Sequence, residues 1–182
     1  GVIRILVEGR LALAIDVLID AAFAGLGSRA RDTRAELASF LQERFAGYLK
    51  EQGYSALEVD AVLGLRPARL DLVPRRIEAV RAFLALPEAA SLAAANKRIR
   101  NILNKSAPPA GSAFSEARLS EAAESALHAA FRKVDALAAA HLEAGRFVEA
   151  LSSLAALRDP VDAFFNSVMV NVEDADLRTN RL

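Results

Sequence analysis

"LAAANKRIRNILNK" (residues 92–105) sets Leu92, Ala95, Ile99, Ile102 and Leu103 at helical spacing. At about 100° per residue these side chains fall within roughly a third of a helix circumference. Lys97, Arg98, Arg100, Asn101, Asn104 and Lys105 occupy the remainder. Asn96 lies at the border, where a half-buried amide bonded to a neighbouring backbone is expected. One face suits a bundle and the other suits water. The stretch therefore reads as helix, and the same period recurs along the chain. Nowhere does a run of alternating β-branched residues suggest a strand.

Working outward, a first helix pair is predicted over residues 2–7 and 11–26, ending at Gly25 and Gly27. A longer helix over 31–51 sets Leu37, Phe40, Leu41, Phe45 and Leu49 on one face, and Gly53 closes it. Ser55 is a natural N-cap for a short helix over 56–63. Residues 64–67 then break the pattern and mark the expected domain boundary, giving segments 1–64 and 65–182. A helix over 72–86 carries Pro74 in its first turn, where the missing N–H costs least. Pro87 separates it from the helix over 88–104, and "SAPPAGSA" (106–113) is the clearest loop. Ser120, with Glu124 nearby, starts a long Ala-rich helix that ends at Gly145. A helix over 147–157 stops before Pro160, which opens the next through "VDAFFNSVMV". "EDADLRTNRL" (173–182) reads as a helix just begun, with acids in its first turn. The fold class is all-α, a helical bundle with short connections.

The chain has 182 residues, enough for one large domain or one domain plus part of another. Apolar residues make up 53% of it, so a sizeable core is feasible. Lys+Arg and Asp+Glu are both 23, so any signal for a polyanionic partner must be local. There is no cysteine, which excludes disulfides and thiolate metal sites and is compatible with a reducing cytoplasm. "LALAIDVLIDAAFAGLG" is interrupted by Asp16 and Asp20 and makes a poor membrane span. A start on Gly1 and a last helix without a stop signal suggest a piece of a longer protein.

The polar face of the 92–105 helix has two readings: an ordinary solvated surface, or one that meets a polyanion. Exposed faces usually mix signs to gain i,i+4 pairs, yet no Asp or Glu occurs between residues 89 and 115. Asparagine is a weak helix former, so Asn96, Asn101 and Asn104 together cost stability. Cations neutralise phosphates, while amides hydrogen-bond bases or sugars. Arg66, Arg69, Arg75 and Arg76 form a second basic cluster that could extend the patch, diluted by Asp71 and Glu78.

Two stretches carry a resemblance. "LAAANKRIRNILNK", followed by "PVDAFFNSVMVNVEDADLRTNRL", resembles the C-terminal region of the bacterial glycyl-tRNA synthetase β subunits. The opening "GVIRILVEGRLAL" looks like a segment further upstream in that family, in the same order. Asn96, Lys97, Arg98, Asn101 and Ile102 match the first pattern. Phe164, Phe165, Val168, Met169, Val170, Glu173, Asp174, Arg178, Asn180, Arg181 and Leu182 match the second. Asn166 stands where the family often has Asp, and Asn171 where Met is usual. The family pattern continues past the position of Leu182 through a terminal helix, so apolar surface around Phe164, Phe165 and Met169 is expected.

The resemblance implies a DALR-type anticodon-binding helical domain over 65–182. It also implies the last helices of an upstream HD-like region over 1–64. It implies a tRNA-binding part of an α2β2 aminoacyl-tRNA ligase, whose separate α subunit activates glycine with ATP and magnesium in the cytoplasm. The anticodon arm of tRNA(Gly) would be the partner, with no membrane involved, and no catalytic site or cofactor is expected within this chain. Lys97, Arg98, Arg100, Asn101, Asn104 and Lys105 are the expected RNA contacts, whereas Ile102, Phe164, Phe165, Val168 and Met169 are expected in the core. Arg178 and Arg181 fit a structural role equally well, pairing with Glu173 or Asp174.

Catalytic motifs are missing: no HExxH, HD pair, P-loop or nucleophile elbow appears. His128 and His141 sit on different helix sides and read as surface or packing residues. Asp16 and Asp20 share a face and read as solvated. The rival function is a helical protein-interaction scaffold. "HLEAGRFVEALSSLAAL" is similar to half of a tetratricopeptide repeat, with Gly145 at the turn and Ala150 on the packing face. No second copy occurs at a period of about 34.

Overall fold

The computed structural model describes residues 1–29, 31–109 and 111–182. Ala110, inside the predicted loop 106–113, lies outside the described residues. The described residues are all-α, with an isolated antiparallel bridge, Ala14 to Arg69, and no named strand. Packing divides the chain into two compact units, Gly1–Arg81 and Ala82–Leu182.

In the first unit, α1 (Val2–Glu8), α2 (Ile15–Leu26), α3 (Arg34–Glu51) and α4 (Ala56–Leu63) are followed by a 3-10 turn at Leu70–Leu72 and α5 (Val73–Leu84). Phe45 and Leu49 on α3 meet Val59 on α4 and Val73 and Ile77 on α5, all withdrawn from water. Leu6, Val62, Leu63 and Leu70 complete the cluster. Each such side chain contributes roughly 1.5–3 kcal/mol by leaving water. Phe40, predicted on the same α3 face, is instead exposed.

The local signals read well. Ser55 Oγ accepts from the Glu58 N–H at 3.3 Å while Glu58 Oε2 accepts from the Ser55 N–H at 2.8 Å, a capping box. Pro74 stands in the first turn of α5, and Gly53 ends α3 with φ at +90°. Residues 11–14, predicted helical, are not. Arg10 turns the chain with φ at +48°, and the Ile15 N–H then donates to the Ala68 carbonyl at 2.9 Å. The break at 64–67 is a turn inside this unit, since Leu70, Val73 and Ile77 share a core with Phe45. The division between the units falls within α5, after Arg81.

In the second unit, α6 (Ala89–Lys105) is followed by a 3-10 turn at Glu116–Arg118 and the long α7 (Ala122–Glu143). Then come α8 (Phe147–Ser153), a 3-10 turn at Leu154–Leu157, α9 (Arg158–Ser167) and α10 (Ala175–Arg181). α7 packs on α8 and α9, and α6 packs on α9. Gly145 turns α7 into α8 with φ at +68°, and Ala150 is buried, as a helix pair of the predicted kind requires. Proline 160, lacking an N–H, sits in the first turn of α9. The preceding residues 154–157 tighten to 3-10 rather than completing the predicted 147–157 helix.

The helix predicted to run through Val170 stops at Ser167, and Val168 is extended. In an extended segment successive side chains face opposite ways. Val168 is therefore buried while Met169, expected in the core, is 71% exposed. None of the described helices is long and apolar enough to cross a membrane.

Candidate nucleic-acid interface

α6 forms because its apolar residues recur at helical spacing and no proline or glycine interrupts it. Its inward stripe rests on α9, where Ser91 Oγ donates to the Asp162 carboxylate at 3.3 Å. Lys97, Arg98, Arg100, Asn101, Asn104 and Lys105 are all exposed. Asn96 is exposed too, and the expected half-buried amide does not occur. Among the described residues, none of Lys97, Arg98, Arg100 or Lys105 makes an ion pair. The positive face is neither tucked inside nor neutralised within its unit.

One cation is fixed. The Arg98 guanidinium lies 4.1 Å from the centroid of the Phe165 ring, which itself meets Phe164 edge to face at 5.5 Å. Lys97, Arg98, Asn101 and Lys105 line an open depression of about 400 Å³ that ends at Asn171. A second, of about 520 Å³, adjoins it along Arg98, Ile102 and the segment from Asn166 to Asn171. Arg100 and Asn104 line neither of them.

The outer wall is the non-helical segment after α9, and the chain's last helix holds it in place. Arg181 Nη1 donates to the Met169 carbonyl at 2.8 Å and Arg178 Nη1 to the Val172 carbonyl at 3.2 Å. Arg181 does not pair with Glu173 or Asp174, as expected from the sequence; its Nε meets Glu124 Oε1 at 2.6 Å. Both side chains of that pair are almost wholly buried. Glu124 also accepts from the Ser120 and Glu121 N–H groups at 2.8 and 2.7 Å, which opens α7. Burial pushes its carboxyl up, but the Arg181 guanidinium and the two N–H donors outweigh this and hold it below the usual range.

Asp174 caps α10 by accepting from the Leu177 and Asp176 N–H groups, which hold its carboxyl low. Asn180 and the Ser115 backbone bond reciprocally, at 2.7 and 3.1 Å. The second motif is thus a frame: its arginines and asparagine shape the wall that faces α6. Sequence reasoning missed Glu124 as their partner, although its place four residues after Ser120 was visible.

The other candidates are bound locally. Arg69 meets Asp71 through two nitrogens at 2.7 Å, which lowers the Asp71 carboxyl and leaves Arg69 no free charge. It lies in the first unit with Arg66, Arg75 and Arg76. Asp20, read as solvated, pairs with Arg34 at 3.2 Å. His128 rests on Phe114 at 4.8 Å with Glu116 at 3.7 Å, and His141 Nδ1 accepts from Arg146 at 3.0 Å. Among the described residues no group of three or more His, Asp or Glu is arranged to hold a metal ion.

No family model matches the chain. Curated relatives do. It is 52% identical over 181 residues to the glycine--tRNA ligase beta subunit of Acidovorax sp. (strain JS42), covering 100% of this chain and 25% of that protein. It is 53% identical over 182 residues to that of Leptothrix cholodnii, covering 26% of it, and 50% identical over 186 residues to that of Thiobacillus denitrificans, again 26%. The chain thus spans about a quarter of the length of the curated relatives it matches.

Proposed function

We propose that this chain is the C-terminal, tRNA-holding region of a glycyl-tRNA synthetase β subunit, and that α6 meets the anticodon arm of tRNA(Gly). On this reading the DALR-type anticodon-binding domain lies in the second unit, Ala82–Leu182, and the first unit, Gly1–Arg81, ends an HD-like region. The chain supplies binding energy and orientation in the cytoplasm. Glycine activation with ATP and magnesium belongs to a separate α subunit of an α2β2 enzyme.

The observation that carries the proposal is the outward face of α6, where Lys97, Arg98, Arg100 and Lys105 stand exposed without an acidic partner. It occurs in a chain about half identical throughout to beta subunits of that ligase. Cations so placed neutralise phosphates, and the exposed amides of Asn101 and Asn104 can reach bases or sugars.

The test is tRNA(Gly) binding by the full-length β subunit assembled with its α partner, across a salt series. Lys97→Glu with Arg100→Glu should weaken binding at least about tenfold. The slope of log K against log salt should become shallower by roughly 1.5, as expected for two lost phosphate contacts. Unchanged affinity and slope, with helicity intact, would remove α6 from the interface, and no measurable tRNA binding by the wild type would favour the scaffold reading. The α7–α8 pair, closed at Gly145 over Ala150, would then be the surface to pursue.

A further inference from the structure

We infer that the paired depressions between α6 and residues 168–171 form a seat for one unstacked nucleobase, with Arg98 as the stacking plane and Asn101 and Asn171 reading the base edge. The inference rests on the RNA reading above and deepens it, separating base recognition from phosphate attraction.

The stacking plane comes first. A guanidinium is flat and stacks on π-systems, but on a free arginine stem it wanders. Here the Phe165 ring covers one side of Arg98 at 4.1 Å, which fixes the plane before any ligand arrives. Arg98 lines both depressions, so its remaining side is available to a second ring. Exposed Met169 and half-buried Ile102 give the adjoining hollow an apolar wall of the kind a base face prefers.

The edges come next. An asparagine amide carries both a donor and an acceptor, the combination that distinguishes one base edge from another. Asn101 and Asn171 line the same hollow, both are exposed, and among the described residues neither side chain makes a hydrogen bond. That freedom contrasts with Asn180, whose amide is fully engaged by the Ser115 backbone.

Charge and rigidity complete the seat. Lys97 and Lys105 stand on the same hollow, where the phosphates flanking an extruded base would lie, and no carboxylate lines either depression. The wall is braced from behind by Arg181 on the Met169 carbonyl and Arg178 on the Val172 carbonyl. A braced wall can hold a base in one pose, which discrimination requires.

The experiment uses the whole α2β2 enzyme and tRNA(Gly) transcripts carrying 2-aminopurine, or a substituted base, at each anticodon-loop position in turn. Wild type should show a fluorescence rise at one position and about tenfold discrimination there. Arg98→Lys keeps the charge and removes the plane; it should abolish most of that rise with the salt slope unchanged. Asn101→Ala with Asn171→Ala should bring discrimination at that position close to one. Circular dichroism checks that the variants fold.

If both variants bind and discriminate as wild type while Lys97→Glu with Arg100→Glu still weakens binding, the seat is overturned and the RNA reading stands. If wild type fails to bind tRNA, both are overturned.

Discussion

Glu124 and Arg181 are two charges of the second unit withdrawn from water, held by each other and by nearby N–H, hydroxyl and carbonyl groups, with Glu121 a further carboxylate 3.9 Å from Arg181. Cutting back one partner leaves an uncompensated buried charge, which costs about 3–5 kcal/mol. Arg181→Ala should therefore lower the midpoint of urea unfolding well beyond the effect of Arg4→Ala, whose surface pair with Glu8 is worth little. Glu58 provides the acid response. Arg81, then the Ser55 N–H and hydroxyl, draw its carboxyl from 4.5 down to about 2. The folded value lies below the unfolded one, so its contribution is complete above pH 4.5 and is lost as pH falls toward about 2. Glu58→Gln should flatten the stability–pH curve within that window and leave its shape above it unchanged, as chemical denaturation at stepped pH would record.

At the scale of elements, α4 shows what a short signal can do. Its eight residues are too few to form a stable helix alone. The Ser55 cap and the buried Val59, Val62 and Leu63 supply what length does not. Ser55→Ala should cost about 1 kcal/mol, measurable by urea unfolding, while Ser55→Asp should recover most of it. Such caps were legible because their partners lie three residues apart, and the α6 stripe and its opposed cations were legible for the same reason. Early termination of α9 was not. Residues 168–172 leave the helix where Arg181 and Arg178 take the Met169 and Val172 carbonyls, and no periodicity within "VDAFFNSVMV" announces a donor from another helix. Met169 was misread with them, since helical spacing and strand alternation assign it to opposite sides. The hollow beside α6 escaped the sequence altogether, because half of it is built by that misread segment.

At the scale of the whole chain, the two units can be observed separately. Both tyrosines, Tyr48 and Tyr54, lie in the first unit, and the chain has no tryptophan. Tyrosine fluorescence therefore follows Gly1–Arg81, whereas far-UV circular dichroism follows helices of both units. Because each unit carries its own buried residues, Arg181→Ala should move the circular-dichroism transition while the tyrosine transition stays within about 1 kcal/mol of wild type. Coincident shifts of both probes would show a single cooperative block instead. Even charge balance, 23 against 23, belongs to this scale: it conceals a segment of one sign that only the local pattern exposes.

The ion pair at the start of α7 has a consequence for biosynthesis. Its two members are 57 positions apart, whereas Glu58 and Arg81 are separated by 23. During translation the carboxylate is made first and stays hydrated until the guanidinium leaves the ribosome, so the second unit matures only once Arg181 has emerged. The first unit meets its own guanidinium sooner and is free to settle first. Ribosomes stalled before the codon for Arg181 would thus display a settled first unit and an unlatched second one.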